Sequence, residues 1–170
     1  MAAKAGPIIG SVIFFGIAPV VVAGWIPYTI SRWRVAPPFL GIEPGRWIGA
    51  TLIVAGFAVL VDSFARFAIQ GRGTPAPVAP TKTLVVSGLY RHVRNPMYLG
   101  VVGALLGQAL LFASLSLLTY AAAVWGLFQL FVLAYEEPTL DRQFGERYRD
   151  YRRGVRRWWP RLKPWEPGAP

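Results

Sequence analysis

Two groups of residues in this 170-residue sequence carry side chains suited to binding chemistry. The first is Tyr135-Glu136-Glu137-Pro138, where two adjacent carboxylates close a long apolar run. Carboxylates at the end of a hydrophobic helix are costly if desolvated, so each needs a cation or a hydrogen-bond donor. A ligand's ammonium or hydroxyls would serve, and a water-exposed helix end is the plainer alternative. The second group is Arg91, His92 and Arg94, directly before Asn95-Pro96. Asn is a good N-cap and Pro suits the first helical position, so a helix should start there. Free backbone N–H groups and two arginines at that start suit a carboxylate or a phosphate. Contact with lipid headgroups is the plainer use of the same charges. One His and no Cys exclude a thiolate nucleophile, a disulfide framework and a self-sufficient transition-metal site.

The elements that must position these groups are apolar spans. The chain is 54% hydrophobic yet carries a net charge of +10, from 18 Lys and Arg against 8 Asp and Glu. A soluble domain of this size cannot bury that much apolar surface, and a disordered chain would be far less hydrophobic. Charges are absent from Ala5 to Ser31 and again from Asn95 to Tyr135. The second run, 41 residues, would extend roughly 60 Å as one helix, twice the bilayer core, so it should fold back near Ala113–Ser116. Another run starts at Trp47 and meets Asp62 and Arg66, four apart on one helix face and able to pair. The expected fold is all-α and integral to the membrane. It is one domain over 1–170, with four transmembrane helices near 8–30, 47–69, 96–112 and 117–135 and a cytoplasmic amphipathic tail over 138–170. The first run is too long for a signal-peptide core and lacks a small-residue cleavage site, so it reads as a true span.

Fourteen Lys and Arg fall on the N-terminal, middle-loop and tail side, against three (Arg32, Arg34, Arg46) on the other. That bias predicts a multi-pass protein of a bacterial-type inner (plasma) membrane with both termini cytoplasmic. Nucleic-acid binding is not needed to explain arginines beside membrane spans. In the middle loop, Thr74–Pro80 alternates proline with small residues and reads as extended chain, either a stiff linker or a lid. Gly100, Gly103 and Gly107 make a small-residue face, suited to close helix packing. Pro138 should push Glu137 out of the helical region, so a bend and a new helix are expected there. In that helix Leu140, Phe144, Tyr148, Tyr151 and Val155 form one apolar stripe, and Trp158 and Trp159 suit headgroup depth.

GLYRHVRNPMYLG, followed about 35 residues later by EEPTLDRQFGERYRDYRRGVRRWWP, resembles the integral membrane methyltransferases. That group includes the isoprenylcysteine carboxyl methyltransferases and the phospholipid N-methyltransferases. The matching positions are Gly88, Tyr90, Arg94, Pro96, Tyr98 and Gly100, then Glu136, Glu137, Leu140, Phe144, Gly145, Tyr148 and Tyr151. The likeness covers roughly the C-terminal 85 residues. The family often has His where this chain has Asn95, which can hydrogen-bond a ligand but cannot titrate.

The resemblance implies S-adenosylmethionine as cofactor, held by the third and fourth spans, the middle loop and the tail. The cofactor-binding residues it points to are Gly88, Tyr90, Arg94, Asn95, Tyr98, Leu99, Glu136, Glu137 and Tyr148. Glu136 and Glu137 suit the donor's ammonium or ribose hydroxyls, and Arg94 its carboxylate. Methyl transfer from a sulfonium needs alignment and desolvation more than acid–base help. A carboxylate acceptor would need an orienting cation, for which Arg91 or Arg153 could serve. The implied acceptor is lipid-like or prenylated, and no metal is implied. Sterol and steroid reductases carry a similar basic tail and R-H-P-x-Y run, so a nicotinamide-dependent membrane reductase is one alternative. A non-catalytic lipid-binding protein on the same scaffold is the other.

Overall fold

The computed structural model describes residues 18–66 and 83–166. The proline-rich stretch Thr74–Pro80 and the first part of the first expected span lie outside the described residues. The described residues form helices joined by turns and extended segments, with no strand. Helix α1 covers Ala18–Ser31, α2 Pro44–Arg66, α3 Pro96–Leu111 and α4 Leu115–Phe144, with α5 (Glu146–Gly154) behind it. Of these, α2 and α4 are long and apolar enough to cross a membrane, while α1 and α3 are shorter apolar helices.

The closest packing is between α2 and α3, and glycine sets it. A Cβ on Gly49 would stand 2.6 Å from the Gly107 carbonyl oxygen, and one on Gly56 would stand 2.5 Å from that of Gly100. Both pairs are seven residues apart on their own helix and run in opposite directions, so two contact points fix an antiparallel register. Gly103 takes no part, since nothing lies within 4 Å of its would-be Cβ. Gly56→Val is expected to force the helices apart at a cost of about 1–3 kcal/mol, as overpacked cores do. A lowered thermal midpoint in detergent, with Gly103→Val as the near-neutral control, checks this.

Helix α1 contains a π turn over Val21–Trp25. Side chains of the neighbouring helices reach its carbonyls: Gln108 Nε2 donates to Ala23 O at 2.7 Å and Tyr120 Oη donates to Val22 O at 3.1 Å. Polar groups thus dock α1 onto α3 and α4, around a core of Ala23, Leu60, Val101, Leu105, Ala121 and Val124. The fold-back expected in the long charge-free run falls within Ala113–Ser116. Ala113 adopts a left-handed φ of 51°, and Ser114 caps α4 by accepting from Leu117 N at 3.3 Å.

The expected bend at Pro138 is corrected. Glu137 is helical (φ −61°, ψ −45°), and α4 runs through the proline by way of a second π turn at Val132–Glu136. A wide turn changes the hydrogen-bond register, so a residue without an N–H is absorbed without breaking the helix. The break comes at Gly145 instead, with φ 52°. Across that break the predicted stripe stays together: Tyr148, Tyr151 and Val155 are buried against Leu140, Phe144, Leu84, Val86 and Trp165.

Candidate active site

The chain after α5 folds back over the start of α3. Val155 leaves the helix in an extended conformation (φ −125°, ψ 127°), and residues 155–166 then lie along residues 91–95. Three backbone bonds fix this strap: Arg94 N to Arg156 O at 3.0 Å, Arg161 N to His92 O at 2.9 Å, and Trp165 N to Arg91 O at 2.9 Å. Tyr151 Oη adds a bond of 2.6 Å to Tyr90 O, and Trp158 Nε1 one of 2.5 Å to Gln129 Oε1. His92 Nδ1 meets Arg161 O at 2.8 Å. A carbonyl only accepts, so Nδ1 carries the proton.

Between strap, α3 and α4 sits a buried charged cluster. Glu137 pairs with Arg94 at 2.9 Å and takes a two-pronged grip from Arg157, whose Nε and Nη2 donate at 2.7 and 2.8 Å. The Glu137 and Arg94 side chains are 8% and 9% exposed. Arg94 Nη1 also donates to Tyr148 Oη at 3.2 Å, and Tyr98 Oη donates to Glu136 Oε2 at 2.8 Å. Burial raises the Tyr148 phenol above its ordinary range, with the nearby Glu137 charge acting the same way. The bond to Glu137 holds the Arg157 guanidinium still more firmly charged. Among the described residues, Arg94 Nε is buried and has no hydrogen-bond partner. The cavity bounded by Arg94, Asn95, Glu136, Glu137, Tyr148 and Tyr151 measures about 20 Å³, room for about one water.

Five of the sequence-predicted cofactor residues therefore line one cavity: Arg94, Asn95, Glu136, Glu137 and Tyr148, with Tyr98 bonded to Glu136. Asn95 heads α3, but its side chain does not cap the helix; Nδ2 donates to Arg157 O at 3.3 Å in the strap. Leu99 lies on α3, where its amide donates to Asn95 O. Tyr90 is buried, and desolvation raises its phenol strongly. Gly88, with φ 51°, borders a different cavity, and a Cβ there would overlap the Arg66 guanidinium. That guanidinium is held by Asp62 through two bonds of 2.8 Å, the pairing expected from their spacing.

The two arginines expected to orient an acceptor do not join the cluster. Arg91 donates to Trp165 O at 2.7 Å and to Glu166 at 2.8 Å. Arg153 is 71% exposed and pairs with Asp150. The residue that sequence reasoning missed is Arg157, counted there only as tail charge. Its signal is the alternation after the helix: Val155 and Arg157 turn inward while Arg156 stays exposed, the period of an extended chain.

A family profile for phospholipid methyltransferases matches residues 45–147, more than half of the chain. That segment holds nearly all of α2, with α3, α4 and the Arg94, Glu136 and Glu137 side chains of the cluster. A protein-S-isoprenylcysteine O-methyltransferase of Dictyostelium discoideum is 29% identical over 113 residues, which is 64% of this chain and 46% of that protein. The chain thus spans about half the length of the curated relative it matches. No solved structure matches it. By the profile that covers its long helices and its buried carboxylates together, the chain belongs to the phospholipid methyltransferase family.

Proposed function

We propose that this chain is an S-adenosylmethionine-dependent methyltransferase of the membrane, acting on a lipid-like or prenylated acceptor of the isoprenylcysteine-carboxylate or phospholipid-amine type. The observation that carries the reading is Arg94: a buried guanidinium with an unused Nε–H, set between Glu137 and Tyr148. A buried donor without a partner is costly, and a ligand carboxylate would satisfy it with a charge-assisted bond. Of the neighbouring carboxylates, Glu137 suits the ammonium of the same amino acid group and Glu136 a ribose hydroxyl. The donor set therefore fits S-adenosylmethionine, with Asn95, Tyr98, Leu99 and Tyr148 as further wall and the Gly88–Tyr90 turn beside it.

S-adenosylmethionine, when bound, supplies an electrophilic methyl on a sulfonium. What the chain contributes is fixation and dryness. Arg94 and Glu137 orient the charged end, the strap excludes water, and apolar helices offer the acceptor a way in from the bilayer. The present cavity is far below the ~300 Å³ or more of a usual ligand pocket, so entry requires the strap to draw back and Arg157 to release Glu137. The membrane arrangement that suits this reading has four crossings, near 8–30, 47–69, 96–112 and 117–135. Both termini and the amphipathic tail then lie on the cytoplasmic side.

The test is binding of S-adenosylhomocysteine to the purified protein, followed by methyl transfer from labelled donor into a lipid extract and thin-layer identification of the product. Saturable binding and one labelled lipid are expected. Displacement of labelled S-adenosylhomocysteine by NADPH and not by S-adenosylmethionine would reverse the assignment in favour of a reductase.

A further inference from the structure

A second, larger cavity opens at the Arg66 end of α2, with a volume of about 500 Å³. Its walls come from three distant parts of the chain: Ala58, Val59 and Arg66 on α2, Leu89 and Arg91 on the turn before α3, and Pro164 on the strap. The inner wall is apolar. The polar rim is rich in donors, and its one carboxylate, Asp62, already has both oxygens taken by Arg66 Nε and Nη2. Arg91 spends Nε on Trp165 O and Nη2 on Glu166. A guanidinium carries five N–H donors, and these bonds use two of them on each arginine. Two arginines with spare N–H donors call for an acceptor-only, anionic head such as a phosphate.

The cavity also has an approach. Val54, Ala58, Val61 and Ala65 are exposed on α2 at steps of four, three and four, so they form one stripe that leads to Arg66. Phe57 borders it and is 55% exposed. The small alanines leave a shallow track between bulkier neighbours on a helix long and apolar enough to cross a bilayer. An acyl chain laid along that track brings its head to the rim where Arg66 and Arg91 stand.

We propose that this cavity binds an anionic phospholipid of the surrounding bilayer, with the acyl chain along Val54, Ala58 and Val61 and the phosphate on Arg66 and Arg91. This lipid is a ligand at a site apart from the Glu137 cluster, and the inference does not depend on methyl transfer. Because Arg91 and Pro164 tie the cavity to the strap, the lipid also braces the segment that carries Arg157.

The test uses the full chain, stripped of lipid in detergent and offered equimolar phosphatidylglycerol and phosphatidylcholine, with retained lipid read by native mass spectrometry. Phosphatidylglycerol should be retained at least about fivefold over phosphatidylcholine, and Arg66→Gln and Arg91→Gln should each lower that ratio about fivefold, the usual effect of one basic side chain at a lipid surface. Arg142→Gln, at an arginine on α4 whose Nε donates to Pro138 O, should leave the ratio unchanged. Ala58→Trp, which fills the track from an exposed position, should lower retention of both lipids. A wild-type ratio near one overturns the proposal. So does an equal loss with Arg142→Gln, which would mark diffuse charge attraction. If Arg66→Gln does not fold, Ala58→Trp decides the matter, and unchanged phosphatidylglycerol retention there is likewise fatal.

Discussion

Glu137→Ala is expected to abolish S-adenosylhomocysteine binding and to lower stability by about 3–5 kcal/mol, the usual result of removing one partner from a buried ion pair. The size follows from burial. Glu137 neutralises Arg94, 9% exposed, and Arg157, 23% exposed, and its removal leaves two guanidiniums in a desolvated pocket. At roughly 2–4 °C per kcal/mol for a chain of this length, the thermal midpoint should fall on the order of 10 °C. Glu136→Gln should cost far less, because the bond from Tyr98 can still be made to an amide oxygen. The measurement is a paired one, melting and ligand binding on the same detergent preparation. A Glu137→Ala protein that melts early yet binds at full affinity would make the cluster a structural brace only. Glu137→Gln, equal in shape, separates the two effects, since it should fold better than the alanine variant while still failing to hold an ammonium.

Much of the fold is legible in the sequence because a membrane chain writes its elements in charge. The two charge-free runs locate α1 and the α3–α4 hairpin, and the required fold-back falls at Ala113–Ser114. Asp62 and Arg66 pair because a four-residue step on a helix brings their side chains together. Gly100 and Gly107 mark a packing face from sequence, but their partners Gly49 and Gly56 emerge only from the register of two separate helices. The bend expected at Pro138 fails for a local reason. Proline's propensity counts against an α-helix, and the π turn at Val132–Glu136 changes the bond that proline would have broken.

The candidate site is legible in its carboxylates and Arg94, and less so in everything held by the strap. Arg157 stands in a run with Arg152, Arg153 and Arg156, and composition cannot say which of four arginines turns inward. Only the extended backbone at Val155 distinguishes them. Gly88 can be read in two ways. Its place in the motif suggests the cofactor, while its left-handed φ and the guanidinium lying against its Cα account for glycine without any ligand. Arg91 and Arg153 are chosen by charge, and charge alone does not resolve direction when nine basic residues follow Pro138.

Arg157→Ala is expected to tighten S-adenosylhomocysteine binding about tenfold or more while making the protein less stable. In the closed cluster Arg157 occupies Glu137 with two charge-assisted bonds of 2.7 and 2.8 Å, so an incoming ammonium must first displace it. Apparent affinity is reduced by the fraction of molecules in which the carboxylate is free. A hydrogen bond to a charged group contributes about 1.5–3 kcal/mol, and each 1.4 kcal/mol is about tenfold in affinity. Removing the competitor should recover at least one such factor. Stability should fall at the same time, because the strap keeps only the Trp158–Gln129 bond to α4 and Glu137 keeps only Arg94. Arg157→Lys, which can offer one bond in place of two, should lie between. The opposite signs of the two changes make the experiment decisive: a variant that loses affinity together with stability would show Arg157 to be a contact for the ligand and not the latch that the ligand must open.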